Sequence, residues 1–190
     1  MPRKSRRLLG ETVCHHMVQG INKEEIFKTE DNKEKYIELL KKYYKEFKID
    51  VIAYCIMDNH VHMLLYANDI KQISNFMKNI NSIYAMYYNK KTDRVGYVFR
   101  NRFKSVPIMD RKQLYTCIKY IHMNPVKAGK VKEESDYRYS SYNDYLNKTG
   151  FIHEEILKFI FNSSNNYIEK FQSIEYENSC LLYTSDAADD

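Results

Sequence analysis

The stretch that most constrains the fold is residues 49–66, IDVIAYCIM followed by Asp58-Asn59 and HVHMLLY. Two apolar, β-prone runs separated by a polar turn dipeptide predict a β-hairpin. A lone hairpin is not stable in water, so the rest of the chain must supply strands and helices to cover it. On both sides of the hairpin the hydrophobic period changes from two to about 3.6. Between Asp31 and Phe47, apolar residues fall at 36, 39, 40, 43, 44 and 47, the spacing of an amphipathic helix. Asp31 is its expected N-cap, with Glu34 completing a capping box. From Ile70 to Asn89 the apolar positions are 73, 76, 77, 80, 83, 84 and 87, a second helix.

Residues 12–20 read as a first strand and 22–27 as a turn. Residues 90–94 read as a loop, and Gly96 opens a long strand or strand pair, GYVFRNRFKSVPIM. Asp110 is placed to cap a third helix that Pro125 stops. The order β-α-β-β-α-β-α predicts an α+β fold of the ferredoxin-like, split βαβ kind. One antiparallel sheet would carry helices packed mainly on one face.

With 190 residues, 44% of them hydrophobic, the chain can build one real core but not two large ones. We expect the functional domain in residues 1–150 and an acidic extension in 151–190. A short helix is expected at 151–161, and little pattern follows it. The last eleven residues, CLLYTSDAADD, differ in style from the rest and read as an artefact or scar. The net charge of +5 hides a division. Up to Gly150 there are 28 Lys and Arg against 17 Asp and Glu, a balance of +11; beyond it there are 2 against 8. A basic body suits a polyanionic partner. No apolar run approaches the roughly 18 residues that a membrane span needs. The basic start, MPRKSRRLLGE, has no apolar stretch behind it, so no membrane partner and a cytoplasmic location are expected. Cys14, Cys55, Cys117 and Cys180 show no CxxC spacing and read as free thiols.

Two short motifs carry chemistry. In Asn59-His60-Val61-His62, strand alternation puts His60 and His62 on one face, where two imidazoles can chelate a divalent metal. Zinc completed by a cysteine is one such site. In Tyr120-Ile121-His122-Met123-Asn124, Tyr120 and Asn124 share a helix face. A phenol with a free pKa of about 10 is a weak nucleophile until a metal and nearby cations assist it. Against this, Tyr120 is one of 18 tyrosines and could be a core aromatic, and Asn124 could simply end a helix before Pro125.

Three runs, YCIMDNHVHMLLY, GYVFRNRFKS and YIHMNPVKAGKV, in this order, resemble the small tyrosine transposases. These are the IS200-like and REP-associated enzymes within the HUH single-strand nucleases. The opening CHHMVQGINKEEIF is similar too, so the resemblance spans about residues 10–145. It implies a single-stranded-DNA transposase that cleaves and rejoins one strand through a 5′-phosphotyrosine. It makes Tyr120 the nucleophile, and His60, His62 and Asn124 the ligands of Mg²⁺ or Mn²⁺. Some relatives hold glutamine where Asn124 stands, one methylene longer. Single-stranded or hairpin DNA is the implied partner, with a homodimer left open.

Other residues fit a nucleic-acid surface. Arg94, Arg100, Arg102 and Lys104 surround the strand after the second helix, and Arg100 and Arg102 would alternate onto one face between Phe99, Asn101 and Phe103. Arg3, Lys4, Arg6 and Arg7 form a basic arm suited to a DNA hairpin. His15, His16 and His122 read as structural, with His16 placed to line the site. Tyr139-Ser140-Ser141-Tyr142 reads as packing. The alternatives are a non-catalytic hairpin DNA- or RNA-binding module, and a structural zinc site formed by His60, His62 and Cys55 or Cys117.

Overall fold

The computed structural model describes residues 10–101, 103–147, 152, 154–162 and 166–174. The expected element order is present: β1 (Gly10–Gln19), α1 (Glu30–Tyr43), β2 (Asp50–Ile56), β3 (His60–Tyr66), α2 (Ile70–Thr92), β4 (Lys104–Ile108) and α3 (Arg111–Lys127). Short helices α4 (Tyr142–Asn147), α5 (Glu154–Ile160) and α6 (Tyr167–Gln172) follow. The four strands form one sheet in the order β2-β3-β1-β4, every neighbouring pair antiparallel. This is the split βαβ arrangement: each helix crossover returns the chain two strands away, and a strand from the other unit fills the gap.

The predicted hairpin forms where expected. Asp58 and Asn59 sit at its turn, closed by Met57 N–H donating to the His60 carbonyl at 2.8 Å. The turn is held from outside as well: Gly20 N–H donates to Asn59 O at 2.8 Å and Phe27 N–H to Asp58 O at 2.7 Å. Gly20 has to be glycine, because a Cβ there would lie 2.3 Å from the Glu24 carbonyl oxygen. The Asp58 side chain receives Lys33 Nζ at 2.7 Å and also bonds Lys130, just beyond α3. Burial raises its pKa, but the bonds and charges of Lys130 and Lys33 outweigh this and hold it below the usual carboxylate value.

Several boundaries differ from the sequence reading, each for a local reason. The N-cap of α1 is Thr29, which accepts from Asn32 N–H, while Asp31 lies inside the helix and Glu34 bonds Arg138 instead. A capping box occurs at α2, between Asp69 and Gln72. That helix runs on to Thr92 and ends where Asp93 takes a left-handed conformation, φ 50°, through the segment expected to be loop. The long strand expected from Gly96 is only Lys104–Ile108. Before it, Phe99 makes an isolated bridge to Gly20, and Arg100 N–H donates to Gln19 O at 2.9 Å. Arg100 therefore stands ahead of the strand rather than alternating along it, and Arg102 lies outside the described residues.

Asp110 caps α3 as expected, accepting from Gln113 N–H at 2.7 Å. Pro125 does not stop this helix, which continues to Lys127. A proline leaves the carbonyl four residues back without its helical donor. Here that carbonyl belongs to Ile121, and Asn124 Nδ2 donates to it at 3.4 Å and to Tyr120 O at 2.8 Å. The Asn124 side chain thus supplies what the proline removes.

The segment read as patternless holds α6. Its Phe171 packs beside Tyr145 at 4.5 Å between ring centroids and near His122 at 5.5 Å. In α5, the Ile160 carbonyl accepts from Arg111 at 2.5 Å and Tyr115 at 3.0 Å, which ties the extension to α3. The basic arm Arg3, Lys4, Arg6 and Arg7, together with Cys180 and the final eleven residues, lies outside the described residues.

Candidate active site

The β1–β3 register decides which side chains share a face. Met17 lies opposite His62, His15 opposite Leu64, and Gln19 opposite His60. Residues directly opposite in an antiparallel pair point the same way. His60, His62 and His15 therefore share one face, whereas His16 points to the other, against Phe103 at 5.4 Å between ring centroids. His15, not His16, lines the site. Alternation within CHHM could not tell them apart, because only the pairing register fixes which of two adjacent residues faces inward.

On the shared face, the His60 and His62 rings stand 4.8 Å apart between centroids and nearly perpendicular. His62 is 1% exposed. Its Nδ1 lies 3.0 Å from His15 Nε2, while its Nε2 is buried with no hydrogen-bond partner. His60 Nδ1 is 2.5 Å from Asn59 Oδ1. That oxygen only accepts, so the proton of neutral His60 sits on Nδ1 and Nε2 is the nitrogen it can offer to an ion. Burial, then the neighbouring His60 and His15, holds the His62 pKa well below the usual imidazole value. Burial, then His16 and His60, pushes His15 down to about 3. Both rings are neutral at physiological pH, the form in which imidazole binds metals.

Helix α3 brings Tyr120 to this face in the same chain. Its ring meets His62 edge-on at 5.5 Å and His15 at 6.1 Å. Lys127 Nζ, two turns further along α3, lies 5.5 Å from the Tyr120 ring centre. Asn124 sits one turn from Tyr120 on the same helix face and is half-buried. Its amide nitrogen is spent on the backbone, so the carboxamide oxygen is the atom it can offer elsewhere. The helix is held at several points: Lys119 to Glu134 at 2.5 Å, Asp110 at its start, and Lys130 to Asp58 just past its end.

A cavity of about 10 Å³ opens among His15, Met17, His62, Lys104 and Val106. It holds roughly one water-sized body. Lys104 enters it because Lys104 pairs with Met17 on β1 and Met17 with His62 on β3, all on one face. Arg100 is exposed, and its guanidinium lies 3.5 Å from the side-chain oxygen of Gln19, the residue paired with His60. Lys104 and Arg100 thus flank the histidine pair from the β4 side.

The donor set suits a divalent ion. Two imidazoles, that of His62 with a buried nitrogen lacking any hydrogen-bond partner, and the carboxamide oxygen of Asn124 on the helix that carries Tyr120 are the elements of a mixed nitrogen–oxygen site. Among the described residues, no group of three or more His, Cys, Asp and Glu side chains is arranged to hold a metal. Cys55 is buried beside Met57, and burial raises its thiol pKa far above the usual value.

β3 and α3 thus bring His60, His62 and Tyr120 to one face. A model of the family described as Transposase IS200 like matches residues 11–124, which include both histidines, Tyr120 and Asn124. The chain belongs to the IS200-like transposase family. Transposases of this kind act on DNA. A protein of Haemophilus influenzae, named by inference as a REP-associated tyrosine transposase, is 28% identical over a 122-residue alignment that covers 57% of this chain and 69% of that protein. The solved structure of a REP-associated tyrosine transposase bound to a REP hairpin superposes with a TM-score of 0.58 at 15% identity, covering 75% of this chain and 88% of its own. It shares the fold of this IS200-like transposase. No helix among the described residues is long and apolar enough to cross a membrane.

Proposed function

We propose that this transposase cleaves and rejoins single-stranded or hairpin DNA through a covalent link to Tyr120, with His60, His62 and Asn124 holding Mg²⁺ or Mn²⁺. The observation that carries this reading is the contact of the Tyr120 ring with His62 within one chain. A bound divalent ion supplies positive charge to the scissile phosphate and to the charge that builds on it. Imidazole is a better partner for Mn²⁺ than for the harder Mg²⁺.

The chain's own residues do the rest. The Tyr120 oxygen attacks phosphorus, an O–P bond forms, and the bond from phosphorus to the 3′ oxygen breaks. The phenolic proton ends on the departing 3′-hydroxyl, and the 5′-phosphate stays on the tyrosine. A later 3′-hydroxyl reverses the exchange and joins strands, so no high-energy cofactor is consumed. Lys127 Nζ, 5.5 Å from the phenol ring centre, supplies a positive charge beside the attacking group. Lys104 and Arg100 lie where a strand crossing the face would bring its phosphates. Tyr120 is only 4% exposed and the adjoining cavity is water-sized, so a phosphodiester reaches it only as α3 or the side chains over the cavity yield.

The test is incubation with single-stranded hairpin DNA and Mn²⁺, followed by denaturing electrophoresis. The expected result is a protein–DNA adduct that survives denaturation, is absent in Tyr120→Phe, and leaves DNA binding by that variant within about threefold of wild type. An adduct that persists in Tyr120→Phe removes Tyr120 from the role.

A further inference from the structure

We propose that His15 is a positioning residue for the metal site: its Nε2 accepts a hydrogen bond from Nδ1–H of His62 and so keeps the Nε2 lone pair of His62 available to a divalent ion. This rests on reading His60 and His62 as ligands and adds a residue that the two motifs do not contain.

The argument begins with a single proton. His15 Nε2 and His62 Nδ1 are 3.0 Å apart, in rings stacked at 5.0 Å and inclined by 25°. Both residues are buried, at 2% and 1% exposure, so bulk water does not take the place of either ring. Only one hydrogen fits between the two nitrogens. If His15 donated it, neutral His62 would carry its own proton on Nε2. That atom is buried with no acceptor, so the N–H would be stranded and the lone pair lost to an ion. If His62 donates, its Nε2 carries the lone pair instead. The second arrangement strands no donor on His62 and presents a ligand.

The neighbouring histidine uses the same device in simpler form. Asn59 Oδ1 can only accept, so it fixes the proton of His60 on Nδ1. Both β3 histidines thus have an acceptor at Nδ1. One comes from the adjacent turn residue and the other from the next strand. An acceptor on the far nitrogen orients a ligating imidazole and raises its basicity toward the metal. The His15 ring also meets Tyr120 edge-on, so it packs at once against a metal ligand and the nucleophile. Its place follows from the β1–β3 register, which puts His15 two residues along β1 from Met17, the partner of His62.

The test uses the full chain with Mn²⁺ alone. Calorimetric titration compares wild type, His15→Phe, which keeps a ring but no acceptor, and His15→Gln, which restores an acceptor oxygen. Nitrogen NMR of the metal-free proteins reads the tautomer of His62, and thermal melts check that each variant is folded. We expect His15→Phe to weaken Mn²⁺ binding about tenfold or more and to populate Nε2–H on His62, with His15→Gln recovering most of the loss. Unchanged affinity and tautomer in a folded His15→Phe overturns the proposal, as does a wild-type His62 protonated on Nε2. If His15→Phe does not fold, His15→Gln and the wild-type tautomer decide. Failure of the ligand reading has a different signature: wild type binds no Mn²⁺, or His62→Ala binds it as tightly as wild type, and His15 then loses the role with it.

Discussion

His62 and His122 are both buried imidazoles with one ring nitrogen lacking a hydrogen-bond partner, Nε2 in the first and Nδ1 in the second. Their surroundings separate them. His122 bonds Ser141 Oγ through Nε2 at 2.7 Å and is walled by the edges of Tyr142, Tyr145 and Phe171 at 5.1 to 5.6 Å. Ser141 in turn takes the Tyr54 N–H at 2.9 Å, so this histidine pins α3 to β2. His62 faces two other histidines, a tyrosine, a lysine and a small cavity. Burial gives both a depressed pKa, with His122 pushed to about 3 by desolvation and then by Lys119. The perturbed pKa therefore does not mark the site; the company of groups that can share an ion does.

The widest gap between the two regions should appear in catalysis. His62→Ala is expected to lower Mn²⁺-dependent cleavage by about 10² to 10³-fold in protein that remains folded, as scored on a denaturing gel. Cleavage that survives would dissolve the distinction. His122→Ala should do the reverse, costing about 2–3 kcal/mol in urea unfolding while folded protein keeps cleavage within a few-fold. A loss of cleavage with full stability would place His122 in the site.

A third histidine sharpens the comparison through pH. His16 is fully buried with both nitrogens lacking hydrogen-bond partners, and burial holds its pKa at about 4. Because the folded value is depressed below the usual 6.5, the unfolded chain takes up the proton first as pH falls. Stability present above pH 6.5 is therefore lost between 6.5 and 4, by up to about 1.4 kcal/mol per pH unit. His16→Leu should match or exceed wild-type stability at pH 7.5 and gain further at pH 5, measured by denaturant unfolding at both. An unchanged gap between the two pH values would mean that His16 does not titrate in this way.

The smallest effects belong to the flanking cations. Lys104→Ala or Arg100→Ala should each reduce the slope of log affinity against log salt for hairpin DNA by about 0.7 to 1. An unchanged slope would move the DNA path away from β4.

Much of the fold was legible because the signals were strong and local. The hairpin at Asp58-Asn59 and the apolar stripes of α1 and α2 follow from periodicity alone. The Asp110 cap was readable in the same way. What failed depended on side-chain contacts that periodicity does not encode. Pro125 continues a helix because Asn124 folds back onto the two carbonyls behind it. Residues from Gly96 to Phe103 have strand composition, yet they meet the sheet edge only at Phe99 and Arg100 before the ladder begins at Lys104. Helix α6 earns its place by packing Phe171 into the His122 cluster rather than by its own pattern. Within the site, His60, His62, Tyr120 and Asn124 were readable as motifs. His15 was not, since its role depends on the register of β1 against β3. Lys127 stands in the third run without a role of its own there and gained meaning only from its position over the Tyr120 ring.

The central claim is that β3 and α3 of one chain build a single divalent-ion site beside Tyr120. The most direct measurement is an anomalous difference map from crystals of the full chain soaked in Mn²⁺. The account predicts one dominant peak within about 2.0–2.4 Å of both His60 Nε2 and His62 Nε2, on the side facing Tyr120 of the same chain. A peak that omits the two histidines, or that sits beside Tyr120 of a neighbouring subunit instead, would contradict it.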